Sequence, residues 1–168
     1  MKRFALSVVF CVVSASAAFA QTKSPIEGVW KVTEVVLPGT SPSDKGTTIS
    51  NPQPGLFIFT KGYYSQLFVR GDKPRAEVEP PKDPQNPTDA EKIALFQQWG
   101  PFIANSGTYE MKGATISMKP IVAKSANLMT SGASIVREFK LEGTNTLWLL
   151  PAGDQAANQP RMKLTRVE

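Results

Sequence analysis

The sequence contains no histidine, and its single cysteine, Cys11, falls within the first twenty residues. These absences exclude a Ser-His-Asp triad, a cysteine nucleophile beyond residue 20 and the usual zinc ligand sets. The side chain that ordinarily moves protons near neutral pH is missing as well. Any chemistry is left to carboxylates, tyrosine, lysine and arginine. No disulfide can staple the chain beyond residue 20. Charge of one sign is also scarce. Lys and Arg exceed Asp and Glu by five over the whole sequence, and by three once Lys2 and Arg3 are set aside. The cations are scattered, so neither a nucleic-acid partner nor a polybasic membrane patch is expected. No motif for a metal or a cofactor is present, and none is expected.

Residues 1–20 read as a secretory signal peptide. Lys2 and Arg3 precede the short apolar run "FALSVVFCVV", and Ala18-Phe19-Ala20 forms a small-x-small signal with cleavage expected between Ala20 and Gln21. The expected location is periplasmic or secreted, with no stable membrane insertion after cleavage. Residues 21–168 then make one domain, large enough to bury a core without disulfides.

Strand-like runs recur near 26–37, 55–60, 63–70, 106–111, 114–121, 134–142, 146–150 and 161–167, bounded by turn residues. Short glycine-bearing connections at 61–62, 112–113 and 143–145 alternate strictly with long ones at 38–53, 71–105, 122–133 and 151–160. In an up-and-down meander, alternate connections lie at opposite ends. The pattern therefore predicts a cup with a tight base and a loop-rich mouth. Eight antiparallel strands suffice to close it into a barrel without exposed edges. Alternation places Tyr109, Met111, Ile116 and Met118 on one face, and Phe57, Phe59, Tyr64 and Phe68 on another.

One helix is expected in the 71–105 connection, between strands three and four. Thr88 and Glu91 form a capping box after Pro87, and Ile93, Phe96, Trp99 and Ile103 follow at helical spacing. Gly100-Pro101 should kink or divide it. The apolar face predicts packing on the barrel, with a lid over the mouth as the alternative.

The stretches "GVWKVTEVV", "PGLFIFTKGYYS", "SGTYEMKGATISM", "IVREFKLEG" and "MKLTRVE" occur in this order across the chain. With them the sequence resembles the bacterial lipocalin-like domain proteins of the lipocalin/calycin-like superfamily. The resemblance implies an all-β fold, an eight-stranded antiparallel up-and-down barrel with one helix. It also implies that Trp30 of the Gly28-Val29-Trp30 motif plugs the base under Arg166 of the last strand. Domains of that family are small barrels mostly of unassigned function, while the wider superfamily mainly binds small apolar molecules and a few related barrels act as cyclases or isomerases. Where relatives often carry histidines in the fifth strand this chain has "ISMKP", so chemistry that depends on them does not transfer.

Alternation from Trp30 turns Val32, Glu34 and Val36 inward, and Arg137 shares a face with Phe139 and Leu141. Two inward charges are costly unless each is satisfied. They either pair with each other or leave one to hold an oppositely charged group on a ligand. The cavity candidates are Glu34, Tyr64, Tyr109, Met118, Arg137 and Phe139. The leading expectation is a protein that binds a small hydrophobic or amphipathic molecule. The alternatives are a cyclase or isomerase using Glu34, Tyr64 or Tyr109 as acid or base, and an envelope module that binds a protein through its mouth loops.

Overall fold

The computed structural model describes residues 24–39, 46–153 and 159–168. The expected leader and its cleavage point lie outside the described residues. The described residues form nine strands and one α-helix: β1 (Gly28–Leu37), β2 (Thr47–Ile49), β3 (Gly55–Phe59), β4 (Tyr63–Val69), α1 (Asp89–Trp99), β5 (Phe102–Lys112), β6 (Thr115–Ala123), β7 (Ile135–Glu142), β8 (Thr146–Pro151) and β9 (Arg161–Arg166). All pairings are antiparallel between neighbours in the chain, apart from β1, which pairs with β3 and also with β9. That last pairing closes eight strands into a barrel.

The ninth strand was not expected. β2 pairs with Val35–Leu37 of β1, whereas β3 pairs with Gly28–Lys31. It therefore continues the line of β3, interrupted by "SNPQP", whose two prolines cannot donate to a ladder. The helix sits between β4 and β5, which are the third and fourth strands of the barrel wall.

The three short connections gather at one end, where consecutive hairpins are tied to each other. Tyr109 N–H donates to Gly62 O (2.9 Å), Phe139 N–H to Ala114 O (2.8 Å) and Arg166 N–H to Asn145 O (2.9 Å). The described parts of the long connections leave the strands at the other end. Inside, the base half is packed solid: Trp30, Phe57, Phe59, Ile116, Met118, Leu147, Leu149 and Leu164 are all at most 2 % exposed. Burial of this apolar surface is the main force closing the wall.

α1 begins with the capping box: Glu91 N–H donates to Thr88 Oγ1 (3.3 Å), and Thr88 N–H donates to Glu91 Oε2 (2.7 Å). It ends at Gly100, before Pro101. The expectation that its apolar face packs on the barrel is corrected here, because none of its residues is buried. Ile93 and Phe96 are 56 % and 77 % exposed. Trp99 meets Phe102 edge-on at 5.7 Å with the Arg75 guanidinium 5.5 Å from its ring centre, and Gln98 Nε2–H donates to Ala76 O (3.2 Å). Ile103, expected as the last helical apolar residue, belongs to β5 instead, since the chain past Pro101 runs extended.

Candidate functional site

The base is closed from below by charge as well as by packing. Trp30 lies opposite Arg166 in the β1–β9 ladder, which puts the guanidinium 4.1 Å from the centre of the indole. Trp30 Nε1–H donates to Ile26 O (2.7 Å). Arg166 donates from Nε to Thr144 O (2.7 Å), from Nη1 to Glu27 O and from Nη2 to Pro25 O (3.0 Å). Gly28 has φ +139°, and a Cβ there would stand 2.3 Å from Glu168 O and 2.5 Å from the Arg166 guanidinium. A side chain has no room at that position.

Tyr109 and Met118 belong to this packed half rather than to a cavity. Tyr109 Oη–H donates to Thr60 O (3.0 Å), and its ring meets Phe59 edge-on at 5.4 Å. Burial pushes its pKa up, while Ser24 lowers it and Glu27 raises it. Met118 is 1 % exposed. Phe139 packs against the same core from β7.

Glu34 requires a correction. The β1–β9 register shifts between Val32 and Glu34, so that Val32 faces Leu164, Glu34 faces Lys163 and Val35 faces Met162. Leu164 and Met162 point into the core, which turns Val35 inward and Glu34 outward. A single extra residue at a bulge reverses every side chain after it. The expected Glu34–Arg137 pair inside the barrel does not form.

Arg137 does face inward, opposite Ile116 of β6. It is half-buried, and burial pushes its pKa below the ordinary arginine value. One of its N–H groups, on Nη1, donates to Pro160 O (3.1 Å). Among the described residues no carboxylate pairs with it.

Around Arg137 the mouth-side half of the barrel opens into a cavity of about 380 Å³. β6 and β7 pair only from Thr115–Met118 against Ile135–Glu138, and the divergence of the chain beyond them leaves this space. Its wall includes Gln66, Phe68, Asn105, Leu128, Ile135 and Arg137. A larger groove of about 560 Å³ lies on the outer face of β3 and β4, against the loop carrying Arg75 and Glu77. That groove accounts for the apolar outer face of the β3–β4 hairpin, where Leu56 and Leu67 stay about 40 % exposed.

Sequence reasoning missed the two polar residues that define the mouth cavity. Gln66 and Asn105 face each other across β4 and β5 and are 6 % and 4 % exposed. Tyr64 Oη–H donates to Asn105 Oδ1 (2.8 Å), and Gln66 Nε2–H donates to the same oxygen (3.1 Å). Tyr64 thus lies beneath the cavity and holds Asn105 in place. Burial pushes the Tyr64 pKa up to about 12, so its hydroxyl stays a donor. Asn105 Nδ2 is buried without a hydrogen-bond partner among the described residues. The parity of Tyr64, Gln66 and Phe68 was a usable signal for Gln66. Asn105 was hidden because β5 begins at Phe102, four residues before the strand expected from the sequence.

No protein-family model matches the chain, and no curated protein does. Among solved structures it is similar to a lipocalin-like protein from Bacteroides uniformis, with 14 % identity over 85 % of this chain and 99 % of that one, at a TM-score of 0.47. An uncharacterized protein from Bacteroides eggerthii is similar at 11 % identity over 83 % of this chain and 98 % of its own, with a TM-score of 0.42. A redesigned β-barrel is similar at 13 % identity over 86 % and 93 % of the two chains, also at 0.42. On the order and closure of its own strands, the fold is a closed eight-stranded antiparallel up-and-down barrel.

Proposed function

We propose that this is a periplasmic or secreted protein that binds one small amphipathic molecule in the mouth-side cavity of its barrel. The observation that carries the reading is Asn105, whose buried amide N–H₂ has no partner among the described residues and lines a cavity above a filled base. A buried donor left unsatisfied costs about 1–3 kcal/mol. Such a group is expected where a ligand completes it. The volume, about 380 Å³, lies within the range of small-molecule sites. The cyclase or isomerase reading has lost its inward carboxylate, because Glu34 is turned outward. Tyr64, with its pKa pushed to about 12, is poorly matched to proton transfer near neutral pH. The secretory leader read in residues 1–20 supports the location.

Native mass spectrometry of protein purified from the periplasm tests the reading. The expected result is an added mass, one molecule per chain, that is lost on denaturation. Protein of bare mass with no thermal shift across a panel of small amphiphiles would overturn it.

A second reading, a protein partner docking at the mouth side, is favoured by the exposure of Ile93 and Phe96 on α1. Phe96→Glu would then abolish capture of that partner and leave small-molecule binding unchanged.

A further inference from the structure

We infer that the mouth-side cavity recognises the carboxylate of a compact amphipathic acid, gripped between the Arg137 guanidinium and the Asn105 side-chain amide. This inference rests on reading the cavity as the binding site. Its first support is charge. Arg70, Lys124 and Arg137 line the cavity, and among the described residues no aspartate or glutamate does. Three cations around one opening, with no counter-charge among the described residues of the wall, favour an anion inside.

The division of labour among these cations narrows the choice. Lys124 Nζ donates to Trp99 O, to Gly100 O (3.3 Å) and to Phe102 O (2.9 Å). Its three protons are engaged at the end of α1, so it contributes field rather than contact. Arg137 directs one N–H to Pro160 O, whereas a guanidinium carries five. The rest are free of partners among the described residues and suit the two oxygens of a carboxylate.

The second support is the orientation of Asn105. Its Oδ1 accepts from both Tyr64 and Gln66, which leaves the N–H₂ end as the unused one. Exchanging oxygen and nitrogen would make the Tyr64 hydroxyl an acceptor and take from its own proton the acceptor it has here. The network therefore presents a donor to the cavity. Donors converge on it, and the complementary group is an acceptor of negative charge.

The body of the ligand is bounded by packing. Phe68, Ile103, Leu128 and Ile135 supply apolar wall. The floor is the filled core, so a long chain has no shaft to descend. A short alkyl chain or a single ring fits.

Isothermal titration of the protein spanning residues 21–168 with octanoate, octanamide and octylammonium tests this. Octanoate should bind one per chain, about tenfold or more tighter than octanamide, since charge-assisted hydrogen bonds are about twice as strong as neutral ones. Octylammonium should give no heat. Arg137→Met and Asn105→Asp should each bring octanoate down to the octanamide level or below it. Asn105→Asp keeps the acceptor for Tyr64 and Gln66, so its melting temperature reports whether the fold is intact. Equal affinity for octanoate and octanamide would overturn the inference while leaving a small-molecule site in place, as would a preference untouched by both variants. A preference for octylammonium would overturn it too, and place the Asn105 carbonyl toward the cavity. Heat from none of the three, together with protein of bare mass, would remove both the inference and the site.

Discussion

Trp30 and Arg166 show what a short motif encodes physically. The indole is fully buried, its N–H is satisfied by Ile26 O, and the guanidinium covers its open face. Trp30→Ala removes a large aromatic from a packed core and should cost about 3–5 kcal/mol in chemical denaturation. A variant that unfolds with the parent would show that the base is not sealed by this ring. The roles of Trp30 and Arg166 were legible through the resemblance of the Gly28-Val29-Trp30 and "MKLTRVE" stretches to lipocalin-like barrels, and not from parity alone. Glu34 was not legible, since the bulge that turns it outward lies within an unbroken β-branched run. No glycine or proline marks it. The same correction changes what Arg137 should do on mutation. Had Glu34 been its partner, Arg137→Met would leave a buried carboxylate exposed to no compensation, a loss of about 3–5 kcal/mol. With Glu34 outside, Arg137→Met should leave the melting temperature of the ligand-free protein unchanged or slightly raised, because a desolvated cation is removed. A marked drop in melting would place an undetected counter-charge beside Arg137.

At the scale of elements, the alternation of short and long connections carried the topology. Turn chemistry is local, and glycine-bearing hairpins declare themselves without knowledge of the rest of the chain. β2 was invisible for the opposite reason: three residues, flanked by prolines and serines, hold their place only by pairing with Val35–Leu37. α1 was half legible. Its capping box and its end at Gly100-Pro101 follow from the sequence, but its apolar spacing suggested a buried face that the fold does not provide. Ile93, Phe96 and Trp99 instead remain exposed to differing degrees. Replacing both Ile93 and Phe96 by serine should therefore change unfolding free energy by no more than about 0.5 kcal/mol. Amide exchange should find α1 opening well below the free energy of the barrel strands, as expected where few apolar contacts are buried. A loss of several kcal/mol in the double variant would mean that the helix packs onto the barrel in solution.

For the molecule as a whole, the lack of histidine predicts a stability that barely responds to pH across the neutral range. The alkaline side is different, because burial raises the pKa of Tyr64 and of Tyr109. Tyr64 is 3 % exposed, and burial raises its pKa from 10.0 to about 12. The folded state thus favours the neutral phenol. That contribution is fully present below about pH 10, where the phenol is protonated in both folded and unfolded chains. As pH rises from there toward 12, the unfolded chain ionises first and stability falls, on the order of 2 kcal/mol for a shift of this size. Tyr64→Phe cannot titrate, so the gap in unfolding free energy between it and the parent should narrow by that amount over the same interval. Phe at this position still leaves Gln66 donating to Asn105 Oδ1. A gap that stays constant from about pH 9 to about pH 12 would show a phenol that ionises as it does in water. In that case Tyr64 would not hold the Asn105 amide with its N–H₂ toward the cavity, and the geometry that favours an anion there would lose its anchor.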